Sequence, residues 1–370
     1  MANYYDYLNW RGDLSLDQAP FNEIDSAILA EVSYFPFDRL GIHSHTESDI
    51  KTAVGDFLQL PDLEQAASQH YRMLMKALSS CGRFLCLPIL EFRNIFDESH
   101  TVQFAAITIR LAPELYYVSF RGTNHTLTGW KEDFNMAVEF PVPSQKLAAI
   151  YINGLAEKLK GEFILGGHSK GGNLAVYAGA FCDPACKERI RAIYNFDGPG
   201  FESWIMAQPE YLQIAGRIRT LVPQSSIIGM LLEQAEGYQV VHSTESGGMA
   251  QHRMTSWDVQ RDHFVKLESV TNKSLFLDSA ITGWIHSMNY EQRKEFVEVL
   301  FNILKDADVQ SLGEISPKKI GQMVTMMKSY AGMDPETRTQ ISSAIMALIR
   351  CAREEAPSFG MAGFRVFLRR

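Results

Sequence analysis

The chain has 370 residues, 46% of them hydrophobic and 21% charged, and a net charge of -8. That composition supplies a sizeable core for one large domain or two of ordinary size, and the acidic balance without any Lys/Arg run argues against a nucleic acid partner. No stretch approaches the roughly 18 consecutive apolar residues of a membrane-spanning helix.

In chain order, the opening "MANYYDYLNWRGD" lacks the basic and apolar regions of a signal peptide. Residues 1–40 read as an aromatic-rich arm followed by a helix, with Asn22 as N-cap, Asp25 at the capping-box position, and Ile24, Ile28, Leu29 and Val32 at helical spacing. His43 and His45 could chelate a metal, but two loop histidines alone are more often solvated. Residues 47–80 continue as helix. "TVQFAAITIRL" and "LYYVSFRG" are then β-rich runs joined by Ala112-Pro113-Glu114, as in a hairpin or a pair of adjacent strands. From there the chain alternates: "KLAAIYINGLAEKLK" helical, "EFILGG" a short buried strand, "GGNLAVYAGAF" helical, "IRAIYNFDG" a strand. A helical connection around Trp204 leads to "RIRTLVPQS" and "GYQVVHS". Strands separated by helices predict an α/β fold, a mostly parallel sheet with helices on both faces.

After about residue 264 only helices are expected. Asn289 and Gln292 form a capping box, and Ser316-Pro317 and Asp334-Pro335 each open a helix. Met323, Met326 and Met327, with Ile320 and Val324, read as the core of such a helix. The domain reading is an N-terminal helical arm at 1–84, an α/β core at 85–265 and a C-terminal helical region at 266–370. Five cysteines, Cys81, Cys86, Cys182, Cys186 and Cys351, fit reduced thiols in a cytoplasmic protein. The Cys182/Cys186 pair finds no second pair or nearby histidine to complete a metal site.

The candidate chemistry centres on "LGGHSKGGN", which contains G-x-S-x-G. Ser169 follows a short apolar strand and precedes a helix, the setting of a nucleophile on a tight elbow at the carboxyl edge of a sheet. The competing reading is a glycine-rich turn that binds phosphate or simply packs. A nucleophile also needs an oxyanion hole, for which the amides of Lys170 and of Thr123, after Gly122 in "FRGT", are the candidates. His168 reads as a packed, hydrogen-bonded ring, not as a catalyst. Trp204, Ile205 and Met206 could line an acyl pocket or be buried under their own connection.

"VSFRGT…W…D" followed by "GGHSKGG" resembles the class 3 lipase pattern of the α/β-hydrolase superfamily, over about residues 100–260. A bacterial lipase-like family of unknown function is closer still: "YLNWRGDLSLDQAPFNEIDSAIL", "VPQSSIIGMLL" and "QHRMTSWDV" extend that resemblance to the first residues. The resemblance implies an α/β-hydrolase fold and a serine hydrolase of carboxylic esters. It assigns Ser169 as nucleophile, Thr123 and Lys170 to the oxyanion hole, and Trp130 and Asp133 to bracing the Thr123 loop. Two departures stand out. Lys170 replaces an apolar or amide residue, which makes a charged or polar acyl group conceivable. The turn after "RIRTLVP" carries Gln224, Ser225 and Ser226 instead of a carboxylate.

The acid is therefore sought on another strand. Asp197 ends "AIYNFD", the position from which the similar pancreatic-type lipases supply theirs; otherwise it is an Asp-Gly turn residue, with Glu233 or Glu236 in reserve. The superfamily order Ser–acid–His leaves His242, His252, His263 and His286 for the base. His252 is preferred because "SGGMAQH" is a flexible carrier, whereas His242 sits in a predicted strand. The expected substrate is a small ester or lipid-like molecule, with no cofactor and no metal, and the oligomeric state is left open. Acyl transfer to another acceptor, or a non-catalytic binding protein, are the alternatives.

Overall fold

Alternating apolar runs and helices build one central sheet. The computed structural model describes residues 2–42, 48–124, 126–234 and 237–306, with positions 325, 328–333, 335, 337–339 and 341–342. His43, His45, Glu236, Ser316, Pro317, Ile320, Met323, Val324, Met326, Met327, Asp334 and Cys351 lie outside the described residues.

The N-terminal part contributes α1 (Tyr4–Arg11), α2 (Glu23–Val32), β1 (Ser48–Asp49), α3 (Ile50–Leu58), α4 (Leu63–Ala66), α5 (Gln69–Leu78) and α6 (Gly82–Leu85). There follow β2 (Pro88–Asp97), β3 (Val102–Ala112), β4 (Leu115–Phe120), α7 (Leu127–Asn135), α8 (Pro143–Lys158), β5 (Glu162–His168) and α9 (Lys170–Phe181). Next come α10 (Pro184–Lys187), β6 (Ile190–Phe196), α11 (Ser203–Met206), α12 (Pro209–Ala215), β7 (Ile218–Pro223), β8 (Gln239–Val241) and α13 (Gly248–Gln251). Short β9 (Val259–Gln260), β10 (His263–Phe264) and β11 (Lys266–Leu267) precede α14 (Asn272–His286) and α15 (Tyr290–Asp306).

The sheet runs β1-β2-β3-β4-β5-β6-β7-β8-β11, parallel from β4 to β8 and antiparallel at β1–β2, β3–β4 and β8–β11. Strand β5 is buried from Phe163 to His168, as expected of a strand covered on both faces. Register puts His168 opposite Phe196, so β5 and β6 end level and Ser169 and Asp197 emerge side by side at the carboxyl edge. A mostly parallel central sheet with helices around it is the fold class the sequence led us to expect.

The chain forms two compact units. The first, Met1–Phe96, Phe104–Gly122 and Ser144–Val270, holds the body of the sheet. Its core joins Tyr4, Tyr7, Ile28, Leu29, Phe35 and Phe57 of the N-terminal part to Ile107, Ile109, Ile164 and Phe196 of the strands. Asn22 caps α2 by accepting from the Ile24 and Asp25 amides, and the Asp25 carboxylate accepts in turn from the Asn22 amide. The second unit, Asp97–Gln103, Thr123–Pro143 and Thr271–Arg370, packs Leu127, Trp130, Phe134 and Val138 against Val297, Phe301 and Leu304 of α15. Asn289 and Gln292 exchange the expected capping-box bonds before that helix.

Three expectations need correcting, and one strand, β2, went unread. Residues 47–80 were expected as helix throughout, but Ser48–Asp49 form β1. β2 reads poorly as a strand because it begins with Pro88 and carries Glu91, Arg93 and Asp97. β8 stops at Val241, so His242 lies just past the strand, not within it. β11 falls where only helices were expected, its Lys266 and Leu267 pairing with β8. Among the described residues, no helix is long and apolar enough to cross a membrane.

Candidate active site

Ser169 joins β5 to α9 with φ 59° and ψ -134°. A non-glycine residue held at positive φ is strained, and the strain lifts its side chain off the sheet edge. The neighbours make room. A Cβ at Gly167 would come 2.3 Å from Gly171, and one at Gly171 would come 2.1 Å from the Phe120 oxygen. Gly122 acts by close approach: a Cβ there would lie 2.6 Å from the His168 oxygen and 3.2 Å from the Ser169 Cβ. Gly122 therefore lies directly against the elbow.

Asp197 follows β6, also at positive φ (50°), and is fully buried. Its Oδ2 accepts from His252 Nδ1 at 2.6 Å. Its Oδ1 accepts from the Ser226 hydroxyl at 2.5 Å and the Gly229 amide at 3.2 Å. The alternative of a self-bonded turn aspartate is filled by another residue, since Asn195 Oδ1 takes the Gly198 amide at 3.0 Å. With Nδ1–H donating to Asp197, the remaining His252 nitrogen, Nε2, is the acceptor a serine hydroxyl requires.

The other histidines have different partners. His242 Nδ1 is bonded to the buried Asp258 at 2.6 Å, and His263 to Asp262 at 3.2 Å, while His286 lies in α14. His168 donates from Nε2 to the main-chain oxygen of His252 at 2.7 Å, the packed role expected of it. Burial, then the nearby His252 charge, push His168 down to about 4 against the pull of Glu31. Glu233 pairs through its backbone with Phe201.

Lys170 opens α9 and its side chain is buried. Its amide lies in the first turn of that helix. Within the second unit, the Thr123 hydroxyl donates to both Asp133 oxygens, at 2.7 and 2.6 Å. Gln103, whose amide donates to Glu132, accepts from the Asn124 amide and donates to Thr126. Trp130 packs on α15. Trp204 is 56% exposed, whereas Ile205 and Met206 are buried.

Sequence reasoning missed Ser226, Gly229, Gln103 and Glu132. Only Ser226 had a signal, a hydroxyl in the turn where an acid was sought and not found.

A family model described as Mbeg1-like matches residues 78–302. Similar solved structures include the M37 lipase, at 13% identity over 55% of this chain and 68% of that one, with a TM-score of 0.34. A Rhizomucor miehei lipase propeptide complex matches at 14% over 60% and 67% (TM-score 0.35). A fungal lipase–inhibitor complex matches at 13% over 65% and 78% (TM-score 0.37). No curated protein matches the sequence.

Proposed function

The chain belongs to the Mbeg1-like family, and on that premise we propose that it hydrolyses carboxylic esters of the esterase or lipase type through Ser169. The observation that carries this reading is the 2.6 Å bond from His252 Nδ1 to a buried Asp197, one strand away from a serine on a strained elbow. His252 is oriented with Nε2 as acceptor, as a general base must be.

In this mechanism Ser169 Oγ attacks the ester carbonyl carbon while its proton passes to His252 Nε2. The developing oxyanion is held by the Lys170 amide. The tetrahedral adduct collapses, the alcohol leaves with the proton from His252, and an acyl-enzyme remains on Ser169. Water then attacks, again with its proton drawn by His252, and the carboxylic acid is released. Asp197 steadies the imidazolium throughout. A non-catalytic reading drew its support from the missing carboxylate after β7; Asp197, bonded to His252, supplies a carboxylate from β6.

The test is labelling with a fluorophosphonate and hydrolysis of p-nitrophenyl butyrate. Wild-type protein should do both, Ser169→Ala neither, and Asp197→Asn should lose about 10⁴-fold in turnover. A wild type inert to both reagents would leave a binding protein as the better reading.

A further inference from the structure

A buried carboxylate lies close to the base without belonging to the triad. Glu31, in the last turn of α2, is only 3% exposed, and a carboxylate so deep needs partners. One of its oxygens accepts from His70 Nε2 at 3.0 Å, and the other lies 3.9 Å from His168 Nδ1. His168 carries the link onward through its bond to the His252 carbonyl, and the two rings lie 4.4 Å apart at 35°. Behind Glu31, the Tyr4 hydroxyl sits 3.4 Å from the same His70 nitrogen. Every member of this series lies in the first unit.

The chemistry gives the series a direction. A carbonyl oxygen only accepts, so His168 carries its proton on Nε2 and presents Nδ1 to Glu31. Burial pushes the Glu31 carboxyl up, but the hydrogen bond from His70 leads the opposing contributions that hold the carboxyl below its ordinary value. Glu31 is thus an anion at neutral pH, while His168 is neutral there and cannot cancel it. A proton arriving on His252 meets that anion through a medium of low dielectric.

We infer that Glu31 and His168 are positioning residues for His252: His168 pins the main chain that carries the base, and Glu31 favours the imidazolium formed when Ser169 gives up its proton. The inference rests on Ser169, Asp197 and His252 acting as a triad. Asp197 supplies one stabilising charge, and α2 of the N-terminal part supplies a second. The groups facing Glu31 are His70 and Tyr71 on α5, Tyr4 and Tyr5 on α1, His168 and His252. Those facing His252 are Asp197 and His168, with Glu31 reaching it through His168.

The experiment follows p-nitrophenyl butyrate hydrolysis across pH for the wild type, Glu31→Gln and Glu31→Asp. In Glu31→Gln, kcat should fall about tenfold with KM unchanged. The acid limb of kcat/KM should move down by about one pH unit, because the imidazolium has lost an anion. Glu31→Asp, which keeps the charge, should hold the limb near its wild-type position. An unmoved limb in Glu31→Gln, whatever its kcat, overturns the inference. Should Glu31→Gln fail to fold, His168→Phe removes the N–H donor to the His252 carbonyl. A tenfold loss of kcat at constant KM there sustains the inference, and full kcat overturns it. An inert wild type sinks the triad reading and this inference together; an active wild type beside an unaffected Glu31→Gln sinks this inference alone.

Discussion

Ser226 stands in the turn after β7, where the class 3 resemblance led us to look for an acid, and its hydroxyl donates to Asp197 instead. The same turn returns the Gly229 amide to the same oxygen, so a segment without a carboxylate still serves the carboxylate next door. Ser226→Ala should lower kcat about tenfold at unchanged KM, roughly the worth of one hydrogen bond to a charged group. Steady-state kinetics beside a melting curve would separate this from unfolding, and wild-type kcat would make the hydroxyl dispensable. Gly229 acts sterically, because a Cβ there would sit 2.3 Å from Asp197 Oδ1. Gly229→Ala should therefore displace the acid and remove most fluorophosphonate labelling while the circular dichroism spectrum stays native. Rapid labelling in that variant would mean that the turn yields and the carboxylate keeps its place.

Helix α2 is fixed from both ends of its own sequence neighbourhood. Asp25 completes the capping box at its start, and the same carboxylate meets Arg83 of α6 in a fully buried pair at 2.7 and 2.5 Å. Tyr7 of α1 adds its hydroxyl at 2.8 Å, and Arg83 also donates to the carbonyls of Leu14, Ser15 and Pro20. Deleting one member of a buried pair strands the other charge, so Arg83→Met should cost about 3–5 kcal/mol. Urea unfolding at pH 7 would read this as a lower midpoint at an unchanged slope; a midpoint within error of wild type would refute it. The pair also marks how far the sequence could be read. Asn22 and Asp25 were legible because capping depends on residues three apart, and the Ser169 elbow was legible because strand, turn and helix are contiguous. Arg83, Glu31 and Ser226 were not legible, since each meets its partner only when distant segments fold together. β2 escaped notice for a local reason, its leading proline and interspersed charges breaking the expected alternation.

At the scale of the whole molecule, the buried histidine beside the elbow sets an acid limit. His168 is held down to about 4 in the folded protein, against an ordinary value of about 6.5 once unfolded. Between those values the unfolded chain binds the proton and the folded one does not. Stability should therefore be level above about pH 6.5 and fall as pH drops toward 4, by about 3 kcal/mol from this residue. Glu31, whose carboxyl is lowered on folding, acts in the same direction below its unfolded value. Melting temperatures measured from pH 7 to 4.5 should fall for the wild type and fall less for His168→Phe; parallel curves would refute the assignment. The N-terminal helices have a consequence of another kind. The match to the family model begins at residue 78, yet Glu31, His70 and Asp25 precede it, as do the apolar side chains that cover Ile107, Ile109 and Ile164. A gene fragment cut to residues 78–302 would encode Ser169, Asp197 and His252 and still leave an uncovered sheet face, so it should collect as insoluble aggregate. The segment that the family model spans is smaller here than what has to fold together.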